Sequence, residues 1–390
     1  FQAEDGIRDQ PRSRGLGKPM IYPNGVGRIR GNVLDGGAIN LIADRGFIEV
    51  ATNAQVDVSG ASARLDIPQP GPNRGIAYVR TEVGSSGGTI KMTAAEGMQI
   101  LGNLQGQAGK GKGASGGTLA LELNTLNRRP PSVPSSGQLP FPTNKSIFEV
   151  SQEFPTDVVA NDSQTGVPKS QYGLARVSST QVSNGGFASL KLTTPDTIRS
   201  LGEVALSTQR AIDLNAPVLE AARDPASGQF GNLSITSSYV ALGSTLVRPS
   251  GDTPSAGTSS LSVDASLIDV RGQALLNGFA KTNLASSGDL RLQGIRLFEN
   301  DRDFLGELAT AGDLTLSATQ IYPTTLSDFK IAILGNPDGK ISIEGGANTS
   351  APPALSAAGK LTLEAPYIDQ GGTIRAPMGE INLKAENTLD

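Results

Sequence analysis

The chain has 390 residues, with 33 Lys and Arg against 37 Asp and Glu, a net charge of −4. It contains no His and no Cys, which excludes Ser-His-Asp and Cys-His catalysis, the usual zinc sites, thiol redox chemistry and disulfides. No clustered Lys/Arg face marks a nucleic-acid partner, and no run of about 18 apolar residues marks a membrane-spanning segment.

Residues 1–17 (FQAEDGIRDQPRSRGLG) carry no apolar h-region and so are no signal peptide. The strings QAEDGIRD and RSRGLG resemble translated sequencing-adapter read-through. This arm is expected to be non-native or disordered, with any native export signal lost.

From residue 18 the expectation is one β-helical domain reaching residue 390. Gly is 48 of the residues and aromatics only 4%, so a core must be filled by Leu, Ile, Val and Ala in thin, regular layers. A repeat appears at once: Gly, a polar or small residue, then alternating apolar positions. It reads GGAINLIA (36–43), GGTIKMTA (87–94), GGTLALEL (116–123), GGFASLKLT (185–193) and FGNLSITS (230–237). It continues as GTSSLSVDA (257–265), SGDLRLQG (287–294), AGDLTLSA (311–318), DGKISIEG (338–345), AGKLTLEA (358–365) and MGEINLKA (378–385). Alternation of this kind is a strand signal with one face buried. Each preceding Gly is expected to supply a turn that can take positive φ. The last five Gly starts, 288, 312, 339, 359 and 379, give steps of 20–27 residues. These suit one coil of a solenoid and are too short for a propeller blade.

A second short strand with an Ile/Val-Asp core is expected in each coil, at 56–60, 212–216, 268–272 and 368–372. A third follows, as at 275–280 and 373–377. The fold class is therefore all-β, a right-handed parallel β-helix of about 20–27 residues per coil. About 14 coils at roughly 4.8 Å predict a rod on the order of 65 Å long. The competing antiparallel sandwich has little support, since few Asn-Gly or Asp-Gly hairpin turns join paired strands.

Asn124–Tyr172 breaks the rhythm with the Pro-dense tract RRPPSVPSSGQLPFPTN (128–144) and is expected to leave the coil axis. A shorter break, RPSGDTPSAG (248–257), reads as a surface loop. The chain closes on a bare strand, GEINLKA (379–385), without a capping helix, which favours head-to-tail association.

Three groups of residues invite a chemical reading. Asp57, Asp213, Asp269 and Asp369 each lie between apolar neighbours, pointing outward in the same place on different coils. Stacked carboxylates could mimic a glycosidase pair, but a solvated row that discourages edge association is the plainer reading. Glu299, Asp301, Arg302 and Asp303 in ENDRDF (299–304) offer oxygens for a hard cation. They lack EF-hand spacing, and a solvated loop is expected. The tract GQAGKGKGASGG (106–117) has a phosphate-loop look, but Gly113 follows Lys112 where Ser or Thr must bind Mg²⁺. It reads as a flexible turn. No residue is thus assigned a catalytic, cofactor-binding or metal-binding role, no cofactor is implied, and enzymatic activity is not expected.

Four stretches, 33–68, 82–123, 310–331 and 355–383, together resemble the distal part of filamentous haemagglutinin-family exoproteins. The Gly-Gly-Thr-Ile/Leu strands, ATQIYPTTLSDF (318–329) and TIRAPMGEI (373–381) carry the likeness. The resemblance implies a secreted or surface-exposed Gram-negative shaft used in adhesion. It also implies export through an outer-membrane two-partner secretion transporter, which engages an N-terminal domain. Here YPNGVG (22–27) echoes that domain's motif only faintly. A carbohydrate-active β-helix enzyme (lyase or hydrolase) and an autotransporter passenger domain are the alternatives.

Overall fold

The computed structural model describes residues 20–23, 28–71, 75–123, 145–153, 173–224, 227–246, 252–296, 304–346 and 352–389. Period-2 alternation does what the sequence implies: strand follows strand, and 24 of them join one sheet whose pairings are all parallel. The chain coils around a central apolar core as a parallel β-solenoid with three faces.

The first face stacks Ala38–Ala43, Thr89–Ala94, Thr118–Leu123, Ser189–Thr193 and Ala211–Asn215. Residues 239–242 and 267–271, then Asp289–Gln293 and Gln320–Pro323, continue it. The second face includes Phe47–Val50, Gly97–Ile100, Thr197–Leu201, Val218–Ala222 and Gln273–Asn277. It ends with Phe304–Thr310, Ser327–Ile333, 360–364 and 380–385. The third runs from Val204–Ser207 through 233–237, 259–265, Phe279–Ser286, Asp313–Ala318 and Lys340–Gly345 to 367–370. Below it, Gln55–Asp57 and Asn103–Gln105 pair on their own. The helix Ser179–Asn184, capped by Ser178, touches both Asn103–Gln105 and Val204–Ser207 and takes the place of a strand between them.

Inward side chains form ladders. On the first face Ile39, Ile90, Leu119, Leu190, Ile212, Val240, Ile268, Leu290, Ile321 and Ile374 share one register. Fully burying one such side chain contributes about 1.5–3 kcal/mol, so stacked aliphatics do most of the packing in a chain that is only 4% aromatic.

Four sequence expectations need correction. The Gly-led repeats do not all supply the same strand of a coil: 89–94 lies on the first face, 313–318 on the third and 360–365 on the second. All three faces bury one side of an alternating strand, so alternation cannot distinguish them. The Gly-to-Gly steps therefore mix true coils with moves between faces. Where no outgrowth intervenes, first-face coils take 22 to 31 residues, as in Leu190 to Ile212 and Leu290 to Ile321.

Second, the stretch 124–172 does not leave the coil throughout. Ile147–Ser151 is a second-face strand, while 124–144 and 154–172 fall outside the described residues. Third, Ser62–Pro70 and Ile76–Gly84 form an antiparallel hairpin that the single-helix expectation did not contain. Fourth, the described residues form fewer rungs than 14. Eleven second-face strands in this register give a rod of about 50 Å at 4.8 Å per rung.

Strand order is also not sequential everywhere. Leu174–Ser178 pairs with Gly97–Ile100 below and Ile147–Ser151 above, and the latter pairs with Thr197–Leu201. The earlier strand thus sits on top of the later one. This gives the second face one extra rung, which is returned higher up. There Val218–Ala222 pairs directly with Gln273–Asn277, and the intervening coil contributes no second-face strand among the described residues. On the first face Ile321 bridges Ile374 directly.

Candidate functional site

The densest polar arrangement among the described residues lies on the outer side of the first face. Period-2 alternation puts Asp213, Ala241, Asp269, Arg291 and Tyr322 in one outward row. Tyr239, Leu267, Asp289 and Gln320 form the row beside it. Asp269 receives both arms of Arg291, at 2.7 Å each, and the Tyr239 hydroxyl at 2.7 Å. Asp289 accepts from Tyr322 (2.9 Å) and from the Gln320 amide (3.0 Å). Asp213 pairs with Arg271 and, at 3.6 Å, with Lys191. Pro352 lies here too: Gln320 donates to its carbonyl at 3.1 Å. Asp269, Gln320 and Tyr322 are buried.

Burial, reinforced by the hydrogen bond to Asp269, pushes the Tyr239 phenol far above its ordinary value. Burial, then the bond to Asp289, pushes Tyr322 up to about 12. Both phenols stay protonated at neutral pH, so they donate and do not act as bases. The hydrogen bond to Asp269 raises the Arg291 guanidinium. Charge-assisted bonds of this kind are roughly twice as strong as neutral ones. The arrangement pins successive coils to one another and occupies the carboxylate oxygens an acid–base pair would need.

The four candidate Asp residues do not share one position. Asp213 and Asp269 stand two rungs apart on the first face, with Ala241 between. Asp57 lies in the separate strand pair below the third face, opposite Gln105, and Asp369 lies on the third face, opposite Ser342. Asp369 pairs with Lys340 at 2.9 Å, and Asp57 accepts from its own turn at Ser59. Nor is the position simply solvated, since Asp269 is 4% exposed. Sequence reasoning missed Tyr239, Arg271, Asp289, Arg291, Gln320 and Tyr322. Their signal was present as outward positions in YVAL (239–242), LIDVR (267–271), DLRL (289–292) and QIYP (320–323), but unreadable without the register. Glu299, Asp301, Arg302 and Asp303 lie outside the described residues. Among the described residues no group of three or more acids converges as a metal site.

The glycine tract 106–117 bends and turns at 110–113, where Gly111 and Gly113 have positive φ. It is followed by the strand Thr118–Leu123, and amides on both sides of that turn are engaged within the shaft. Gly106 donates to the Gly185 carbonyl, Gly109 to Ser85 and Gly117 to Gly106, at 2.6–2.9 Å. A Cβ on Gly109 would lie 2.0 Å from the Ala61 carbonyl oxygen, and one on Gly117 2.2 Å from that of Gly88. These glycines answer close backbone approach rather than a positive φ. A phosphate cradle needs N–H groups at a helix start, and this tract leads into a strand.

On the third face, Ser262, Asn283, Thr315 and Ser342 stand in one outward row beside Lys281 and Lys340. They line an open, hydroxyl-rich groove of about 390 Å³.

Set against known proteins, the chain matches no protein-family model, no curated protein and no solved structure. Among the described residues no helix is long and apolar enough to cross a membrane.

Proposed function

We propose that this chain is a structural and adhesive segment of a large bacterial exoprotein, a β-helical shaft that holds binding regions away from the cell. The observation that carries the reading is the ten-residue aliphatic ladder from Ile39 to Ile374, cross-tied outside by Asp–Arg–Tyr bonds between coils. Such a design supplies stiffness along one axis. In the filamentous haemagglutinin-type setting suggested by the sequence likeness, the segment belongs at a Gram-negative cell surface after export through an outer-membrane partner.

The test is adhesion together with shape. Beads coated with the chain should adhere to cells or abiotic surfaces above beads coated with an unrelated protein of equal charge. Small-angle scattering should return an elongated particle. A compact particle, or adhesion no greater than the control, overturns the reading.

A carbohydrate-active enzyme is the second reading, and Asp269 with Asp289 gives it a specific place to look. Release of reducing ends or unsaturated uronates from a glycan panel, abolished by Asp269→Asn, would favour it over the shaft. The expected outcome is no turnover.

A further inference from the structure

The reversed strand pair on the second face is built around a slot. Ile147–Ser151 lies between Leu174–Ser178 and Thr197–Leu201, bonded to both. Glu149 stands in register with Arg176 on one side and Arg199 on the other. Arg176 donates to it at 3.0 Å, and Arg199 approaches to 3.7 Å. If the segment were withdrawn and the slot closed, Arg176 would face Arg199 directly, a like-charge pairing that sheets disfavour. Inside, Phe148 is fully buried between Ala175 and Ile198, a large ring above a small neighbour. The slot therefore specifies its occupant: a strand with an outward acid flanked by large apolar residues.

The rest of the shaft is built for that occupant. The extra rung is cancelled higher up, and Asp252 from the intervening coil pairs with Lys145 at the head of the segment. Yet the segment does not lie on the sequential path of the coil. It is joined to its neighbours in sequence by residues 124–146 and 152–173. Either connection spans up to about 70 Å when extended, more than the slot within one chain demands.

We propose that this slot is a strand-acceptor site and that its partner is a second copy of this chain. Residues 147–151 of one shaft fill the slot of another, and two shafts are tied side by side by reciprocal strand exchange. The inference rests on strand order and slot chemistry, and it holds whether or not the shaft serves adhesion.

The absence of Cys makes a direct test possible. Ile147 and Leu174 are opposite one another on adjacent parallel strands, within disulfide reach at a strand spacing of about 4.8 Å. One tagged full-length chain carries Ile147→Cys, and a differently tagged one carries Leu174→Cys. The two are refolded together and oxidised. Hetero-linked pairs in excess of like-with-like pairs are expected. That excess should be lost when the Ile147→Cys chain also carries Glu149→Arg. Should that variant fail to fold, Glu149→Gln takes its place, and a reduced excess is expected. An undiminished excess overturns the charge-specified slot. A chain carrying both cysteines is expected to give disulfide-linked dimers, with one bond in each slot. If it closes the disulfide only within itself and the mixture yields no excess of hetero-linked pairs, the segment serves its own chain and the proposal fails. If it forms no disulfide within or between chains, the register on which the proposal stands is wrong.

Discussion

At the scale of single residues, burial and backbone proximity decide what a substitution costs. Leu363 is fully buried, in register with Ile331 and Leu383. Leu363→Asp places an unpaired charge in that ladder and is expected to cost several kcal/mol, read as a large fall in Tm. The next side chain, Glu364, points outward between Lys330 (2.6 Å) and Lys384 (2.7 Å). All three are a third or more exposed, so Glu364→Ala should cost less than about 1 kcal/mol. Those lysines, through their hydrogen bonds, hold the Glu364 carboxyl below its ordinary value of 4.5. A carboxyl with a depressed folded value stabilises above its unfolded value and loses that contribution as pH falls through the folded one. The Tm gap between the parent chain and Glu364→Ala should therefore narrow on acidification below pH 4.5. A gap that widens would contradict the ion-pair assignment. Glycines divide in the same manner. A Cβ on Gly88 would sit 1.8 Å from the Gly37 carbonyl oxygen, whereas Gly345 has nothing within 4 Å and no positive φ. Gly88→Ala should destabilise by more than about 2 kcal/mol and Gly345→Ala by less than about 0.5, measurable by denaturant titration. Equal effects would mean that the glycine corners are not packed as described.

At the scale of elements, the outward ladder on the first face ties strands that are distant in sequence. Arg291 joins 289–293 to Asp269 on the coil below, and Tyr239 reaches Asp269 from the other side. Removing Arg291 leaves Asp269 buried with only a phenol. Arg291→Ala is expected to cost about 2 kcal/mol, discounted because the arginine is 37% exposed. Replacing both partners should cost less than the sum of the single changes, with a coupling of about 1 kcal/mol in a double-mutant cycle. Additivity would show that the pair adds nothing to coil stacking. These elements were legible only in part. Alternation in INLIA, TLALEL or DLTLSA announces a strand and its buried side, and Leu361, Leu363, Ile341 and Ile343 are all buried where it places them. It does not announce which of three equivalent faces the strand joins. SIFEVS (146–151) reads like any other strand, so its out-of-order stacking could not be foreseen. The charged ladder escaped for the same reason: Asp269 and Arg291 meet only once the register is known. The helix Ser179–Asn184 has six residues and no acid in its first turn, too weak a pattern to stand out.

At the scale of the whole molecule, the solenoid has a direction and two ends that differ from its middle. Interior coils pair on both sides, but among the described residues Glu380–Leu389 pairs only with Lys360–Gln370. At the other end Ala38–Ala43 and Phe47–Val50 each pair, among the described residues, on one side alone. Apolar groups accompany both: Ile381, Leu389 and Met378 are exposed at one end, and Leu34 and Ile42 at the other. A row of unpaired backbone groups beside apolar side chains is a template for another strand. The two ends are different surfaces, so their contact is heterologous and does not close into a ring. The chain expressed alone is therefore expected to associate end to end with rising concentration, seen as growth in light scattering across a dilution series. Asn382→Pro, on the one-sided strand, removes a backbone donor and fixes φ where pairing needs both. It should suppress that growth while leaving the circular dichroism of the remaining coils in place. Side-by-side exchange through the 147–151 slot is told apart by its dependence on Glu149, which end-to-end growth does not share. A chain that stays monomeric at high concentration, with or without Asn382→Pro, would mean that residues at its ends close those edges.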